Sequence, residues 1–220
     1  MLDKINSREI YIIGASLYGE VIFELAEHCG FKVKGFYDDN PKKHDTKIFG
    51  VPVIGSTKKL FSNKKNVQEI NFAVAIGHNK YRRGFLEKVR QLSGKTPNLI
   101  HKTVQISPSA EIGMGIYINA YTIIWTGVKV ENDCLFSPHV LISHHAVLKK
   151  GCFVANMSVV GMGVVIESDV LVGMGSTIMS GIKSVGRNTI IGAGSVVIRD
   201  VSKNSVMAGV PAKCISRIKE

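Results

Sequence analysis

The chain has 220 residues and a formal net charge of +11, which allows two domains of ordinary size and favours anionic partners. No apolar run reaches the about 18 residues that a membrane-spanning helix needs. The N-terminal sequence MLDKINSREI lacks the apolar core of a signal peptide, so we expect a cytoplasmic protein without a membrane contact. No basic stripe with interleaved aromatic residues is present, so nucleic acid is not an expected partner. The phosphates of a small nucleotide would suit the same charge balance.

Strands and helices alternate in the first hundred residues. The predicted strands cover residues 10–13, 31–37, 51–54 and 70–76, and the predicted helices cover residues 17–29 and 81–92. This alternation predicts a small, three-layer, Rossmann-like parallel α/β domain over residues 1–100. The domain is too short for the full sheet of an NAD-binding protein, so hydride transfer is not expected.

The ends of these strands carry candidate ligand-binding residues. Gly14 opens the sequence GASLYG, whose spacing differs from the dinucleotide fingerprint, although backbone amides at the start of the following helix can hold an anion. Asp38 and Asp39 follow the second strand, and Gly77 and His78 follow a later one. Because the carboxyl ends of parallel strands line one crevice, we predict nucleotide or nucleotide-sugar binding there. A plain turn and a solvated acidic loop are the alternative interpretation.

A six-residue period dominates the second half of the chain. Large apolar residues stand at 106, 112, 118, 124, 130, 136, 142, 148, 154, 160, 166, 172 and 178, and after one extra residue at 185, 191 and 197. The residue two positions earlier is usually small or β-branched. Such a period fits neither a helix nor a simple strand, and it indicates a repeat architecture.

Three six-residue units close one triangular coil, so residues 101–220 are predicted to form a parallel β-helix of hexapeptide repeats followed by a short C-terminal tail. The large residues fill the interior, and the small ones leave room beside them. Glycine follows the large residue at 113, 161, 173 and 192, where we expect corners that need unusual backbone angles. Cys134 and Cys152 lie one coil apart at small inward positions, where buried reduced thiols are expected.

The order of these parts resembles one protein family along nearly the whole chain. The matching segments are YIIGASLYGEVIFELAE, VKGFYDDN, VPVIG, VAIGHNKYRR and LIHKTVQISPSAEIG, then the hexads, then AGVPAK near the C-terminus. They resemble the PglD/NeuD-type sugar acetyltransferases of bacterial glycan biosynthesis. These enzymes transfer acetyl from acetyl-CoA to an amino group of a UDP-linked sugar or to a hydroxyl of sialic acid. AGVPAK is common to many hexapeptide acyltransferases, and the N-terminal match is the more specific one.

The resemblance implies a left-handed β-helix and a homotrimer in which acetyl-CoA lies in the groove between neighbouring β-helices. It implies a general base at His144, with His145 standing where the family has an acidic residue that orients the base. Phe153 stands where the family often has a histidine that contacts acetyl-CoA, and main-chain groups near Met174 and Ala193 would contact the CoA arm. Near the family's phosphate-gripping turn, its frequent Gly-His-Gly is replaced here by Leu17-Tyr18-Gly19, and Ser16, Leu17 and Tyr18 are the expected substrate contacts.

The chemistry supports a histidine base without the family. Acetyl transfer from a thioester needs a base that is free near pH 7, and imidazole suits that task. His144 lies two residues after an inward isoleucine, so its side chain should point outward, where a neighbouring subunit could pack. Without an acid at position 145, the group that orients His144 stays open: a carbonyl, a residue of the next subunit or the acceptor itself.

Three other interpretations remain open. His139, His144 and His145 suggest a zinc site of the carbonic-anhydrase kind, but the phase of the pair within the hexads does not fit and residue 103 is threonine rather than a third histidine. No CxxC pair suggests zinc either, and we expect no metal. His145 and Phe153 would also suit a nucleotide-sugar-binding protein that has lost catalysis. Finally, the acetyl acceptor could be a sugar hydroxyl or another small amine rather than the amino group of a nucleotide-linked sugar.

Overall fold

The computed structural model describes residues 8–219, and the chain forms two compact units, Met1–Leu99 and Ile100–Glu220. The first seven residues, on which the expectation about a signal peptide partly depends, lie outside the described residues. Among the helices of the described part, none is long and apolar enough to cross a membrane.

The first unit is an α/β domain with a five-stranded sheet in the order β3-β4-β2-β1-β5. Its strands are parallel apart from the antiparallel pair of β3 and β4. The elements are β1 Arg8–Ile13, α1 Leu17–His28, β2 Phe31–Tyr37, β3 Lys47–Ile48, β4 Val51–Gly55, α2 Thr57–Phe61, β5 Asn71–Val74 and α3 Asn79–Gln91. The predicted strands and helices are therefore confirmed to within a few residues. Sequence reasoning missed β3, α2 and two short 3₁₀ turns at Pro41–Lys43 and Lys64–Asn66.

Alternating residues of β1 supply the two apolar faces of this sheet. Ile13 packs in a cluster with Leu60 of α2 and Leu86 of α3. Ile12 pairs in register with Phe36 of β2, whose ring lies 6.2 Å from the ring of Phe23 in α1. Helices therefore cover both faces, and the predicted three-layer arrangement is confirmed.

The second unit is a parallel β-helix with three faces. The first face contains β7, β10, β13, β16, β19 and β22, the second contains β8, β11, β14, β17 and β20, and the third contains β6, β9, β12, β15, β18, β21, β23 and β24. Their bounds are β6 Leu99–Ile100, β7 Gln105–Ile106, β8 Glu111–Ile112, β9 Tyr117–Ile118, β10 Ile123–Ile124, β11 Lys129–Val130, β12 Leu135–Phe136, β13 Leu141–Ile142, β14 Val147–Leu148, β15 Phe153–Val154, β16 Val159–Val160, β17 Val165–Ile166, β18 Leu171–Val172, β19 Thr177–Ile178, β20 Ser184–Val185, β21 Ile190–Ile191, β22 Val196–Val197, β23 Ser205–Ala208 and β24 Lys213–Arg217.

Each residue of the six-residue period is the second residue of a two-residue strand. From Ile118 onward these side chains are buried, at most 3% exposed, and they form one continuous core along the β-helix. Leu141 pairs with Ile123 on one side and Val159 on the other, so each coil takes 18 residues. The extra residue after Ile178 lengthens one corner, and Val165 pairs with Ser184. The predicted repeat is confirmed in every strand from β7 to β22.

The small inward residues do more than leave space. Thr122, Ser158 and Ser176 are fully buried, and their hydroxyls donate to the backbone oxygens of Ser137, Gly173 and Gly192 at 3.1, 2.7 and 2.9 Å. Carbonyl groups at the corners are thereby satisfied inside the coil. Cys134 and Cys152 are buried thiols that form no disulfide, as predicted, and burial raises the pKa of Cys152.

One prediction about glycine was wrong. Gly161 and Gly173, which follow large inward residues, do not have positive φ; a Cβ there would lie 2.7 Å from the Ile178 oxygen and 2.6 Å from the Ile191 oxygen of the next coil. Close approach of the coils, rather than backbone angle, therefore requires these glycines. The left-handed conformation occurs instead three residues after each inward residue from Ile112 to Ile191. It is adopted in order by Gly115, Tyr121, Gly127, Asp133, His139, His145, Gly151, Met157, Gly163, Asp169, Gly175, Gly181, Asn188 and Gly194.

Candidate active site

His144 and His145 occupy a corner of the β-helix between β13 on the first face and β14 on the second. Hydrogen bonds to both neighbouring coils hold this corner. The His145 amide donates to the Thr126 oxygen at 2.9 Å, and the Gly163 amide donates to the His144 oxygen at 3.1 Å. The His144 side chain is partly exposed and that of His145 is exposed, so both imidazoles can reach a bound molecule.

The two imidazoles contact each other directly. Their Nδ1 atoms lie 3.1 Å apart, and the rings meet edge to face with centroids 5.3 Å apart. A hydrogen bond between two such nitrogens needs one proton and one lone pair, so one ring donates and the other accepts. The ring of Trp125, from the preceding coil, lies 6.1 Å from that of His144. The partner that the sequence left open for His144 is therefore its neighbour in the chain.

Gly127 provides the surface on which the His145 ring rests. A Cβ at Gly127 would lie 2.9 Å from Cδ2 and 3.0 Å from Nε2 of His145, so only glycine leaves room for the ring. Gly127 also has a φ of +66°. Sequence reasoning missed this residue, although its position 18 residues before His145 is the length of one coil and could have revealed it.

The predicted CoA-contacting residues gather around a different corner. Met174 and Ala193 are both exposed, and the Gly194 amide donates to the Met174 oxygen at 2.8 Å, so the two residues lie on successive coils of one corner. That corner joins the third face to the first. Phe153 lies on the third face itself, in β15. Within one chain, therefore, His144 and this group are separated by the width of the first face.

A charged surface adjoins the His144 corner on the second face. It lines a cavity of about 400 Å³ that includes Glu111, Lys129, Glu131 and Lys149. Lys129 pairs with Glu111 at 2.8 Å and Lys149 with Glu131 at 2.9 Å. The hydrogen bond and charge of Glu131 raise the pKa of Lys149. Each of these two lysines thus pairs with a glutamate of the preceding coil, so the positive and negative charges of this surface largely cancel.

Five of the predicted nucleotide-binding residues line one cavity of about 300 Å³ in the α/β unit. They are Ser16, Tyr18, Asp38, Asp39 and Gly77. Leu17 is 81% exposed, and His78 is exposed with its ring 4.6 Å from that of Tyr81; neither lines this cavity. The cavity lies at the carboxyl ends of β1, β2 and β5, where parallel sheets bind their ligands.

Both acidic residues of the cavity bind groups of the protein. Asp38 accepts hydrogen bonds from the Ala15 amide at 2.8 Å and from Lys43 Nζ at 2.9 Å, while Asp39 accepts from the amide and hydroxyl of Thr57. Burial opposes ionisation of Asp38, but the hydrogen bonds outweigh it and lower the pKa of this carboxyl. The acidic pair thus fixes the turn after β1 and the start of α2 against the end of β2.

Close backbone approach explains the two glycines of the GASLYG turn. Gly14 has a φ of +105°, and a Cβ there would lie 2.7 Å from the Ala75 oxygen. A Cβ at Gly19 would lie 2.7 Å from the Gly14 oxygen. These contacts let α1 start directly beside the ends of β1 and β5, at the mouth of the cavity.

Tyr18 and Arg82 place unusual polar groups beside this cavity. The Tyr18 hydroxyl is buried and has no hydrogen-bond partner among the described residues. Burial raises the pKa of Tyr18, and the nearby Arg82 charge acts in the opposite direction. Arg82 is fully buried and donates to the oxygen of Gly77 at 3.2 Å and to Asn79 Oδ1 at 3.0 Å. A bound molecule could supply the partner that the tyrosine hydroxyl lacks.

His139 does not join the His144 corner. It lies at the corner between the third and first faces, where its ring stacks on that of Tyr121 at 5.0 Å. Among residues 8–219, no group of three or more histidine, cysteine or acidic side chains is arranged to hold a metal ion.

Comparisons with known proteins agree with these observations. Residues 9–89 match the model of the PglD N-terminal domain. PerB from Caulobacter crescentus, in a structure with CoA and GDP-perosamine, is 28% identical with a TM-score of 0.87 over 94% of this chain and 97% of that one. The acetyltransferase domain of PglB from Neisseria gonorrhoeae is 27% identical with a TM-score of 0.85, over 95% and 100% of the two chains.

Curated sequences give a more distant likeness. A serine acetyltransferase of Buchnera aphidicola is 36% identical over 127 residues, which are 53% of this chain and 39% of that protein. This chain thus spans well under half the length of that relative.

Fold and site together define a hexapeptide-repeat β-helix protein with an N-terminal α/β domain and an exposed histidine pair at one corner. With the matched N-terminal domain and the two similar structures, the chain is similar to the PglD/NeuD-type sugar acetyltransferases along nearly its whole length.

Proposed function

We propose that this protein is an acetyl-CoA-dependent sugar N-acetyltransferase that acetylates the amino group of a nucleotide-linked amino sugar. The observation that carries the proposal is the likeness to PerB across nearly all of both chains, since that protein was crystallised with CoA and a nucleotide-linked amino sugar. The reaction takes place in the cytoplasm, and the substrates are acetyl-CoA and the nucleotide sugar.

The α/β unit binds the nucleotide in the cavity lined by Ser16, Tyr18, Asp38, Asp39 and Gly77. This role is supported by the position of the cavity at the carboxyl ends of the parallel strands and by the unpartnered hydroxyl of Tyr18. Leu17 and His78, which lie outside the cavity lining, contribute at its rim.

The active protein is a homotrimer in which each site is completed between two copies. Support comes from the separation of functional groups within one chain. His144 lies at one edge of the first face, and Met174 and Ala193 lie at its other edge. A neighbouring β-helix packed against this chain would bring one copy's CoA-contacting corner to the other copy's histidine corner. Phe153 then lies near the bound CoA on the third face.

His144 is the general base. The amino group of the sugar attacks the thioester carbonyl, a nitrogen–carbon bond forms, and the carbon–sulfur bond breaks to release CoA as the thiolate. His144 Nε2 takes the proton that the amine loses, since an uncharged imidazole accepts a proton near neutral pH. The thiolate regains a proton from the base or from water, so the products are the amide and free CoA.

An acceptor panel tests this function. Purified protein is incubated with acetyl-CoA and with GDP-, UDP- or dTDP-linked amino sugars, and the products are identified by mass spectrometry. Acetylation of an amino sugar at its nitrogen is the expected result. Matched nucleotide sugars with a hydroxyl in place of the amine, together with free sialic acid and serine, serve as controls. Acetylation of a hydroxyl acceptor alone would indicate an O-acetyltransferase. Nucleotide-sugar binding without any transfer would indicate a binding protein that has lost catalysis.

A further inference from the structure

We propose that His145 orients His144 and carries the abstracted proton from it to solvent, so that two histidines do the work of a histidine and a carboxylate. This inference rests on the proposed role of His144 as the base. It starts from the 3.1 Å contact between the two Nδ1 atoms, which the sequence alone did not indicate.

Only one arrangement of protons suits catalysis. If His145 donated to His144, the free proton of the uncharged His144 ring would occupy Nε2, and that nitrogen could not accept a proton from an amine. When His144 instead donates from Nδ1 to His145 Nδ1, its Nε2 carries a lone pair that faces outward. His145 then holds its own proton on Nε2. The contact thus selects the tautomer in which His144 can act as the base.

The backbone around His145 is built to place this ring. His145 has a φ of +60°, a conformation that costs a residue other than glycine about 1–2 kcal/mol. Its amide is tied to the Thr126 oxygen, and its ring lies against Gly127, where a Cβ would overlap both Cδ2 and Nε2. The φ and the amide bond are shared by other corners of this β-helix, and the space beside Gly127 is the feature particular to this ring; together they hold it where its Nδ1 meets His144.

The corresponding corner positions of the adjacent coils hold no ionisable residue. The preceding coil contributes Trp125, Thr126 and Gly127, and the following coil contributes Met162 and Gly163 at the corresponding described positions. These corner positions therefore place no carboxylate or ammonium group beside His145. The ring is exposed in the single chain, and the relay exchanges protons with His144 at Nδ1 and with water at Nε2.

An imidazole partner does something that a carboxylate does not. A carboxylate orients a histidine and stabilises its cation without taking the proton. Two imidazoles have the same chemistry, so the proton on the His144 cation can pass along the contact from Nδ1 to Nδ1. His145 then releases its Nε2 proton to water. The net step moves one proton from the amine to solvent, and both rings return to the uncharged state through tautomer exchange.

The pH profile of turnover distinguishes this arrangement from a purely structural role. Both imidazoles must be uncharged in the working state, so two protons must leave the pair before it can act. In the wild-type protein, log(kcat/KM), with KM expressed for the uncharged form of the amine acceptor, should fall on the acid side with a limiting slope near two. In His145→Glu the carboxylate accepts the Nδ1 proton, so the slope should drop to one while kcat stays within about tenfold of the wild type.

Removal of the His145 imidazole, which accepts the Nδ1 proton of His144, should lower turnover. His145→Ala is expected to reduce kcat by about 10- to 100-fold, as other groups that orient a functional histidine do, with little change in the KM for acetyl-CoA. A slope of two that persists in His145→Glu, or an unchanged kcat in His145→Ala, would overturn the inference.

A pair of glycine variants tests the placement of the ring without altering either histidine. Gly127→Ala adds a methyl group where the His145 ring lies, whereas Gly163→Ala adds one at the same corner position of a later coil, where nothing lies within 4 Å. Their φ values of +66° and +67° match, so the backbone cost is the same in both. Gly127→Ala should lower kcat at least tenfold below Gly163→Ala. Equal turnover in the two variants would contradict the inference.

Failure of the proposed function is recognised separately. If His144→Ala keeps wild-type turnover, His144 is not the base and both proposals fall. If His144→Ala loses turnover but the His145 and Gly127 variants behave like the wild type, only the relay is rejected.

Discussion

The two units of this protein position their functional side chains in different ways. In the β-helix, a contact at a corner joins residues one coil apart: His145 reaches back to Thr126 and Gly127, and Gly163 reaches back to His144. In the α/β unit, the cavity is assembled from separate segments. The carboxylate of Asp38 accepts hydrogen bonds from both the Ala15 amide and Lys43 Nζ, and so connects two turns. A repeat therefore fixes the geometry of a site through its register, whereas the α/β unit fixes it through particular long-range hydrogen bonds.

The repeat also shows where variation is tolerated. Interior positions along the coils accept only a narrow range of side chains, because the core is continuous. The left-handed corner position accepts glycine, asparagine and aspartate, but also His145, His139, Tyr121 and Met157. Side chains there cost backbone energy and point outward, so this position tolerates residues that the closely packed interior would not accept.

The largest expected effect is a loss of turnover on substitution of His144. This substitution tests whether catalysis depends on the one corner of the β-helix that contains this residue. His144→Ala should lower kcat by about 10²- to 10⁴-fold, the usual contribution of a general base. Steady-state kinetics with the identified acceptor measures the change. Binding of CoA and of the nucleotide sugar, followed by calorimetry, should persist.

His139→Ala is the matched control for this variant. His139 is also an exposed histidine at a corner, but it lies between the third and first faces and stacks on Tyr121. We expect its loss to change kcat by less than about threefold. A large loss in both variants would mean that turnover responds to any disturbed corner, and that His144 has no special role.

The next effect is on stability and tests whether the α/β unit depends on its buried cation. Arg82→Ala removes the donors to Gly77 and Asn79 and leaves a void, so it should lower the free energy of unfolding of this unit by about 3 kcal/mol. Amide hydrogen exchange across residues 8–99 measures the loss. Fluorescence of Trp125, the single tryptophan of the chain, reports on the β-helix and should keep its wild-type denaturation midpoint.

Arg83→Ala supplies the comparison for Arg82. Arg83 is the next residue along α3, and its ion pair with Glu87 is partly exposed, so its loss should cost no more than about 0.5 kcal/mol. Equal costs for the two arginines would show that burial of Arg82 does not stabilise the unit. A shift in the Trp125 transition would show that the two units do not unfold independently.

A pair of glycine variants in the β-helix separates coil spacing from backbone angle. Gly161→Ala places a methyl group 2.7 Å from the Ile178 oxygen of the next coil and should cost about 2–3 kcal/mol. Gly163→Ala meets open space and carries only the cost of a positive φ, about 1 kcal/mol. Urea denaturation followed by Trp125 fluorescence gives both values. If Gly163→Ala cost more stability than Gly161→Ala, close packing of the coils would not explain why glycine follows the inward residue.

Much of the β-helix could be predicted from the sequence because register alone determines it. The period placed each inward residue correctly from Ile106 to Val197 and put the Cys134 and Cys152 thiols inside. The prediction failed where two chain segments approach closely, as at Gly161, since the distance to the next coil is not a property of either segment alone.

The α/β unit was less predictable at the level of side chains. Strand ends correctly gathered Tyr18, Asp38 and Gly77 at one cavity. Their partners could not be derived, because Asp38 accepts hydrogen bonds from both preceding and following segments and Arg82 is buried rather than solvated. The contact between His145 and His144 depends on the space that Gly127 leaves, and in the sequence only the 18-residue coil length points to that glycine.

A smaller effect concerns the hydroxyl of Tyr18. Because this buried group has no partner among the described residues, Tyr18→Phe should raise the stability of the α/β unit by about 1 kcal/mol. If the nucleotide sugar supplies the missing partner, the same change should raise the KM for that substrate about five- to tenfold and leave the KM for acetyl-CoA unchanged. Tyr81→Phe, on the exposed side of α3, is the control. Reduced stability in Tyr18→Phe would mean that the hydroxyl already has a favourable environment.

The smallest effect is a pH dependence that only the α/β unit should show. Hydrogen bonds from Ala15, Asn40 and Lys43 outweigh burial and hold the pKa of Asp38 below its ordinary value of about 3.9. A carboxyl whose pKa is lower in the folded state adds stability above its unfolded pKa and loses it as pH falls through the folded one. The protection factors of residues 8–99, which correct for the intrinsic pH dependence of exchange, should therefore fall as the pH drops below about 4.

Asp38→Asn should remove part of this acid sensitivity and cost about 1 kcal/mol at pH 7, the value of hydrogen bonds to a charged group that solvent partly reaches. The Trp125 transition of the β-helix, measured at the same pH values, should be the same in the variant and the wild type. If the variant lost stability at low pH as much as the wild type does, other carboxylates would be responsible for the acid sensitivity of this unit. The turn after β1 would then be held by its backbone contacts, such as the 2.7 Å hydrogen bond from the Gly14 amide to the Tyr37 oxygen, rather than by the Asp38 charge.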